Sequence, residues 1–206
     1  MSSTPTQAEV LAQYREGADA VVATVAGWDD AQWAEPACGE WSGTDLAGHL
    51  VTVIGWYHSW LDRGLAGDLD PVFPIAALDT ETVAALAALP AGSGPARIDE
   101  FRASADAYAA RLGEHWDAPF AYPRGLVTAG LHAGVAAVEW HIHAWDLAQA
   151  AGGDHEPADA EGLFLAAARC QLAVAGGLRE RAGMQAARLA ARRRPWHQLL
   201  QRMGRV

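Results

Sequence analysis

Apolar residues recur three and four positions apart along most of this 206-residue chain, and no segment shows the strict alternation of a half-buried strand. The pattern predicts four long helices: 5–26, 44–63, one through 98–112 that ends before Asp117, and 131–151. The connecting segments contain no dipeptide typical of a β-hairpin and are expected to be irregular. The chain is therefore predicted to be an all-α four-helix bundle.

The second helix has a recognisable start. Ser42 precedes Asp45 by three residues, as in a capping box, with Asp in place of the usual Glu. A shorter helix is predicted over 79–89, and one or two further helices over 158–181 and 183–203.

Charge is distributed unevenly along the chain. All 15 basic residues are Arg; residues 1–168 hold 6 of them against 24 acids, whereas residues 169–206 hold 9 against a single acid. An acidic body argues against general nucleic-acid binding, which needs a basic surface along the phosphates. The fourth long helix ends near residue 151, so we expect a bundle domain over 1–152 and an Arg-rich helical extension over 153–206.

The sequence also carries information on the cellular compartment of the protein. No apolar run approaches the roughly 18 residues of a membrane span, and the N-terminal segment lacks the basic and apolar regions of a signal peptide. The two cysteines, Cys38 and Cys170, are too few for a disulfide framework. We therefore expect a cytoplasmic protein without membrane contact.

The segment VEWHIHAWDLAQ (138–149) places several polar groups in the apolar fourth helix. Glu139 and His143 are four residues apart, so they share one helix face, with Cβ atoms roughly 5–6 Å apart. Such a pair can reach one metal ion, but a third ligand must come from another helix. His49 is the candidate, because it lies on the apolar stripe of the second helix. Two histidines and one carboxylate would leave an open position, as catalytic metal sites do.

Other interpretations of these residues remain open. Glu139 and His143 also fit a surface ion pair, and His49 fits a hydrogen-bonded core histidine. His141 lies two residues from both members of the pair and should face away from them. Asp146 is either an acceptor that orients an imidazole or a surface residue.

For the tryptophans and the cysteine of the segments around His49, the main interpretation is packing. Trp41 is expected to be a packing anchor. Trp56 shares a helix face with His49, so it either packs in the core or walls a pocket. Cys38 is expected to be structural.

Two motifs in the right order resemble a known family. PACGEWSGTDLAGHL (36–50) and VEWHIHAWDLAQA (138–150) are similar to the mycothiol-dependent maleylpyruvate isomerases of the DinB/YfiT-like superfamily. The resemblance covers roughly residues 5–152. It implies a DinB-like four-helix bundle with a divalent metal, usually zinc, held by His49, Glu139 and His143. Other superfamily members use a third histidine where this chain has Glu139, so the glutamate favours the thiol-dependent branch.

The resemblance implies that a small thiol, mycothiol or a similar one, is activated by the metal for attack on an electrophilic small molecule. His132 and Arg124 are candidate catalytic residues by position, for substrate carboxylate or for protons. Full-length isomerases of the family carry a further C-terminal domain, whereas residues 153–206 read as Arg-rich helix. A thiol S-transferase acting on another electrophile therefore fits the sequence as well as an isomerase.

Two other functions remain open at this point. The same set of two histidines and one carboxylate holds iron(II) in non-haem oxygenases, and zinc, nickel and iron share these ligand types. A non-catalytic metal-binding or stress-response protein is the third possibility. A homodimer is also expected, from the frequent dimerisation of the superfamily and the many tryptophans.

Overall fold

The computed structural model describes the backbone of residues 5–175 and 177–206 and the side chains of residues 5–174 and 183–206. In chain order the elements are α1 (Gln7–Thr24), α2 (Asp30–Ala34), β1 (Pro36–Cys38), β2 (Trp41–Ser42), α3 (Gly43–Leu65), a 3-10 turn (Ile75–Ala77), α4 (Leu78–Ala88), α5 (Gly94–Glu114), β3 (Pro119–Tyr122), β4 (Gly125–Thr128), α6 (Ala129–Ala150), α7 (Ala160–Ala175), α8 (Gly177–Ala191) and α9 (Pro195–Arg202).

The predicted bundle is confirmed: α1, α3, α5 and α6 are its four long helices. Helix α1 packs mainly against α6, and α3 mainly against α5. The predicted capping box also forms. The Asp45 backbone N–H donates to Ser42 Oγ over 3.2 Å, and the Ser42 N–H donates to Asp45 Oδ2 over 3.1 Å. This cap fixes where α3 begins, and so sets the register of the helix that carries His49.

Two connections predicted as irregular loops are instead short antiparallel hairpins, so that prediction was wrong. Strand β1 pairs with β2, and β3 pairs with β4. Strands of two to four residues carry too little alternation to be read from sequence, and both turns are made without a typical hairpin dipeptide. A glycine with positive φ serves each turn instead, Gly39 in the first and Gly125 in the second.

The ends of the elements differ from the predictions by a few residues. Helix α1 begins at Gln7 because Thr6 caps it in a box with Glu9. The connection over 28–43 also contains the short helix α2. In the C-terminal part, α7, α8 and α9 replace the one or two helices expected, and residue 176, within the predicted 158–181 helix, lies outside the described residues.

Two neighbouring helices, α1 and α7, pack very closely against α6. A Cβ on Gly17 of α1 would lie 2.9 Å from Trp140 Cβ, and a Cβ on Gly134 of α6 would lie 2.8 Å from the Ala166 backbone of α7. Only glycine permits helices to approach so closely at these points. The third direction from α6, toward α3, involves far less contact. No helix among the described residues is long and apolar enough to cross a membrane.

Candidate metal centre

The three predicted ligands come together between α3 and α6. Nε2 of His49 and Nε2 of His143 each lie 3.2 Å from the same oxygen of Glu139, Oε1. All three donor atoms lie within 4.8 Å of one another. We call these three side chains the metal trio. The helical spacing aligns the two α6 residues, and the capped register of α3 brings the third one opposite them.

In the trio, burial and hydrogen bonding shift the pKa values of the side chains in opposite directions. Burial disfavours a charge on His143, but hydrogen bonds to Asp146 and Glu139 outweigh burial and raise the pKa of its imidazole to about 9. Burial likewise raises the pKa of Glu139, yet hydrogen bonds to His143 and His49 hold that pKa well below its usual range. At His49 burial dominates and lowers the imidazole pKa. A buried carboxylate is thus kept ionised by the two imidazoles around it.

Behind His143 lies a chain of charged contacts. Nδ1 of His143 lies 2.9 Å from Asp146 Oδ2 and donates to it. Asp146 also accepts two hydrogen bonds from Arg205, Nε to Oδ1 over 2.7 Å and Nη2 to Oδ2 over 2.8 Å. The fork geometry of a guanidinium bound to both carboxylate oxygens holds Asp146 in one orientation. Since His143 donates from Nδ1, its Nε2 is the nitrogen left to face Glu139 and a metal.

The donor set of the trio fits a divalent metal. Two imidazole nitrogens and a carboxylate oxygen, supplied by two helices, are the ligands of catalytic zinc sites with an open position. A second grouping, Cys38 with His143 and Asp146, is also close enough to hold an ion. There, however, Arg205 lies 3.2 Å from Cys38 Sγ and binds both oxygens of Asp146. A guanidinium among the donors disfavours a cation, so the trio is the better candidate.

A cavity of about 320 Å³ opens beside the trio. His49 and Glu139 form part of its wall. The Glu139 side chain is 19 % exposed, against 9 % for His49 and 5 % for His143, so the carboxylate is the member of the trio most open to the cavity. A small molecule in the cavity would therefore lie directly beside the candidate metal site.

The two predicted catalytic residues lie apart from the trio. His132 is fully buried in α6, stacked on Phe120 with ring centroids 4.2 Å apart, and neither of its ring nitrogens has a hydrogen-bond partner among the described residues. Burial lowers the pKa of its imidazole to about 3. Arg124 is exposed in the turn after β3, two residues from Tyr122, which lines the cavity. Neither residue lines the cavity itself, and their proposed catalytic roles stay predictions.

Other residues discussed from sequence have clear positions. His141 faces away from the trio, as predicted, and is buried with Nε2 3.1 Å from the Gln13 carbonyl and Nδ1 2.9 Å from His155 Nε2. Trp41 contacts the site more directly than a packing anchor would, because its ring lies 5.0 Å from the His49 ring and lines the cavity. Trp56 also lines the cavity.

Sequence reasoning missed the part played by the C-terminal segment. Arg205 binds Asp146, and Met203 forms part of the cavity wall. The tail was predicted as an Arg-rich extension, but no spacing in the sequence relates Arg205 to Asp146, which lies 59 residues earlier. Only a three-dimensional structure could reveal this contact.

The comparisons with known proteins agree with this geometry. A family model described as the mycothiol maleylpyruvate isomerase N-terminal domain matches residues 14–148, a range that contains the whole trio. No curated protein and no solved structure matches the chain.

Proposed function

Since the chain belongs to the mycothiol maleylpyruvate isomerase N-terminal domain family, we propose that it is a metal-dependent enzyme that activates a small thiol. The thiol is mycothiol or a similar low-molecular-weight thiol, and the reaction is S-transfer to, or isomerisation of, an electrophilic small molecule. The observation that carries the proposal is the convergence of His49, Glu139 and His143 at the wall of a cavity.

His49, Glu139 and His143 would hold the metal, for which we propose zinc. When bound, a divalent metal with an open position lowers the pKa of a thiol and favours its thiolate form. The chain's own residues provide the environment. Asp146 accepts a hydrogen bond from His143 Nδ1, so Nε2 is the nitrogen that would face the metal, and both histidines of the trio are buried.

The group that reacts in this proposal is the thiol rather than a protein side chain. Its sulfur forms a bond to an electrophilic carbon, while the S–H proton is released to solvent or to a base. In an addition to an activated C=C bond, the π electrons move to the neighbouring carbon, which then takes up a proton; in a substitution, the leaving group departs with the bonding pair. Cys38 is a poor nucleophile, because burial and the neighbouring Asp146 raise the pKa of its thiol to about 11. His132 and Arg124 remain proposed for proton or substrate handling. Unchanged kinetics in both His132→Ala and Arg124→Ala would remove those roles.

Metal analysis is the first test. The purified protein is expected to hold one divalent metal per chain, and His143→Ala should lose it. His141→Ala is the matched control, because it removes a buried imidazole two residues away on the same helix and should keep the metal. If His49→Ala, Glu139→Ala and His143→Ala all leave the metal content unchanged, the trio is not the metal site and the proposal fails.

Activity is the second test. The metal-loaded protein should accelerate conjugation of mycothiol, or of a shorter cysteine-based thiol, to at least one member of a panel of electrophiles. Iron in place of zinc, with oxygen consumption, would favour the oxygenase alternative, which uses the same ligand set. Stoichiometric metal with no conjugation would favour a non-catalytic metal-binding protein. The cytoplasmic location, the homodimer and the lack of nucleic-acid binding stay predictions.

A further inference from the structure

We propose that Tyr57 is a catalytic residue that donates a hydrogen bond to a carbonyl oxygen of the electrophile. The electrophile is accordingly a small molecule whose C=C bond is conjugated to that carbonyl group. The inference rests on the proposed function and deepens it, because it gives one side chain a role and favours addition to an activated C=C bond over substitution.

The first argument is the position of the Tyr57 hydroxyl. Tyr57 lies on α3, as His49 does, and lines the same cavity as His49 and Glu139. Its hydroxyl has no hydrogen-bond partner within the part of the chain that the structure describes. The hydroxyl of Thr82, which also lines the cavity, instead donates to a backbone carbonyl of its own helix. Tyr57 therefore has a free O–H donor for a ligand in the cavity.

The second argument is that the Tyr57 ring is held in place. It packs against the rings of His132, Trp140 and Trp60, with centroids 4.5, 5.7 and 5.8 Å away. A buried donor that is fixed in advance stabilises a developing charge well, because it does not have to reorganise during the reaction. A phenol has an ordinary pKa near 10, and burial raises the pKa of Tyr57 further, so the O–H keeps its proton at neutral pH.

The third argument is the charge that thiol addition creates. When sulfur bonds to the far carbon of a C=C bond conjugated to a carbonyl, the π electrons move through the nearer carbon to the carbonyl oxygen. In the proposed function, the open position of the metal beside the trio holds the sulfur. The charge on the oxygen therefore needs another partner, and Tyr57 on the same wall provides a donor.

The addition needs no oxidant or reductant. The C–S bond forms as the C=C π bond opens, and the S–H proton has been lost to solvent. The carbon next to the carbonyl then takes a proton from solvent, the C=O bond re-forms, and a saturated thioether results. In an isomerisation, the anion rotates about the former double bond and expels the sulfur instead. Tyr57 keeps its own proton in both cases.

Two electrophiles and one matched pair of variants test the inference in the zinc-loaded protein with mycothiol as the thiol. Cyclohex-2-en-1-one is a conjugated ketone, whereas benzyl bromide reacts by substitution and has no carbonyl oxygen. Tyr57→Phe should lower kcat with cyclohexenone by about 100-fold, lower the rate with benzyl bromide much less, and keep the zinc content. Tyr108→Phe is the control, because it removes a hydroxyl that is sealed in the core, on a ring 5.9 Å from that of Tyr57. It should leave both rates unchanged.

A carbonyl probe gives a measurement that does not depend on turnover. Cyclohexanone, isotope-labelled at the carbonyl carbon, has the same ring but no C=C bond to which a thiol can add. Its infrared C=O band, recorded on the zinc-loaded protein with mycothiol, should move to higher frequency in Tyr57→Phe, because a hydrogen bond to the oxygen lowers this frequency. Tyr108→Phe should give the wild-type band.

Several outcomes would overturn the inference. These are no loss of the cyclohexenone rate in Tyr57→Phe, an equal loss with both electrophiles, an unchanged carbonyl band, or no band from bound ketone. If Tyr122→Phe rather than Tyr57→Phe lowers the cyclohexenone rate and moves the band, the other tyrosine of the cavity wall is the donor and the assignment to Tyr57 is wrong.

Failure of the inference is distinguishable from failure of the proposed function. Conjugation of thiol to benzyl bromide alone would support the thiol-dependent enzyme and overturn the carbonyl electrophile. A carbonyl band that depends on Tyr57, in a protein that never conjugates a thiol, would support Tyr57 as the donor and count against the enzyme.

Discussion

Helix α6 takes part in two interfaces that differ sharply. Its interface with α1 is extensive and closely packed at Gly17, where a Cβ would lie 2.9 Å from Trp140 Cβ and 3.0 Å from His141. Its interface with α3 has little close backbone contact. There the trio and the cavity occupy the space between the helices.

The difference shows how one helix can serve stability on one side and chemistry on the other. Close packing of small residues excludes any ligand, because interiors at that density contain few voids. Helices that diverge leave space but also leave polar groups to be satisfied. In this protein Glu139 is satisfied by two imidazoles and Asp146 by Arg205, so the open interface is held by charge and hydrogen bonds. Four predictions test this division, from the largest expected effect to the smallest.

Metal should stabilise the open interface most strongly. With free zinc at a thousand times its dissociation constant, the free energy of unfolding should rise by about 4 kcal/mol, because the metal binds the folded chain. Chelator titration followed by urea unfolding measures this difference. In His143→Ala the gain should vanish. An equal gain in that variant would mean that zinc acts elsewhere on the chain.

The closely packed interface between α1 and α6 should instead be destabilised by added side-chain volume. Gly17→Ala is expected to lower the free energy of unfolding by about 1–3 kcal/mol, because the new methyl group overlaps Trp140. Gly55→Ala is the matched control on α3: apart from its chain neighbours and the backbone of its own helix, no atom lies within 4 Å of its added Cβ, and it should stabilise the helix slightly. The fraction of Gly17→Ala protein that stays folded should still bind one metal ion per chain. Loss of metal in this variant would contradict the separation of the two interfaces.

Arg205 should affect metal affinity more than stability. Without it, Asp146 is free to turn away from His143, and residues that orient a ligand are worth about 10–100-fold in metal affinity. We expect Arg205→Ala to weaken zinc binding by this factor, measured by competition with a chromophoric chelator. Arg205→Lys should keep more zinc affinity than Arg205→Ala but less than the wild type, since an ammonium cannot bind both carboxylate oxygens of Asp146 in a forked geometry. Wild-type affinity in Arg205→Ala would show that the tail is not part of the site.

His132 should make the protein sensitive to acid. Its folded pKa is lowered to about 3, so the unfolded chain takes up the proton first as the pH falls below about 6.5. The stability it contributes is therefore complete above that pH and is lost toward pH 3, by about 1 kcal/mol for each unit. His132→Leu should flatten this part of the profile in urea unfolding at pH 7, 6 and 5. An equal slope in His132→Leu and in the wild type would contradict this assignment.

The four-helix fold could be predicted from sequence because each long helix repeats the apolar spacing of three and four residues many times. Ser42 and Asp45 also marked the start of α3 to within a residue. The hairpins could not be predicted, since β1 and β2 together hold five residues. The number of C-terminal helices was left open for a related reason, since the break between α8 and α9 spans only residues 192–194.

The candidate site could be predicted in part. Helical spacing aligned Glu139 with His143, and the apolar stripe of α3 pointed to His49; the three side chains do converge, while their role as ligands stays a prediction. The contributions of Trp41, Met203 and Arg205 depend on how distant segments fold back, which no local pattern encodes. Sequence therefore indicated the candidate metal donors, gave a pocket wall as one of two roles for Trp56, and missed the other walls around them.

The separation of His49 and Glu139 by 90 residues has a kinetic consequence. A complete set of donors exists only after α3 and α6 have docked, and we expect this docking to be late because it joins distant parts of the chain. Zinc should therefore slow the unfolding reaction and leave the refolding rate nearly unchanged. In a chevron plot the unfolding arm would move with metal concentration while the folding arm stays in place.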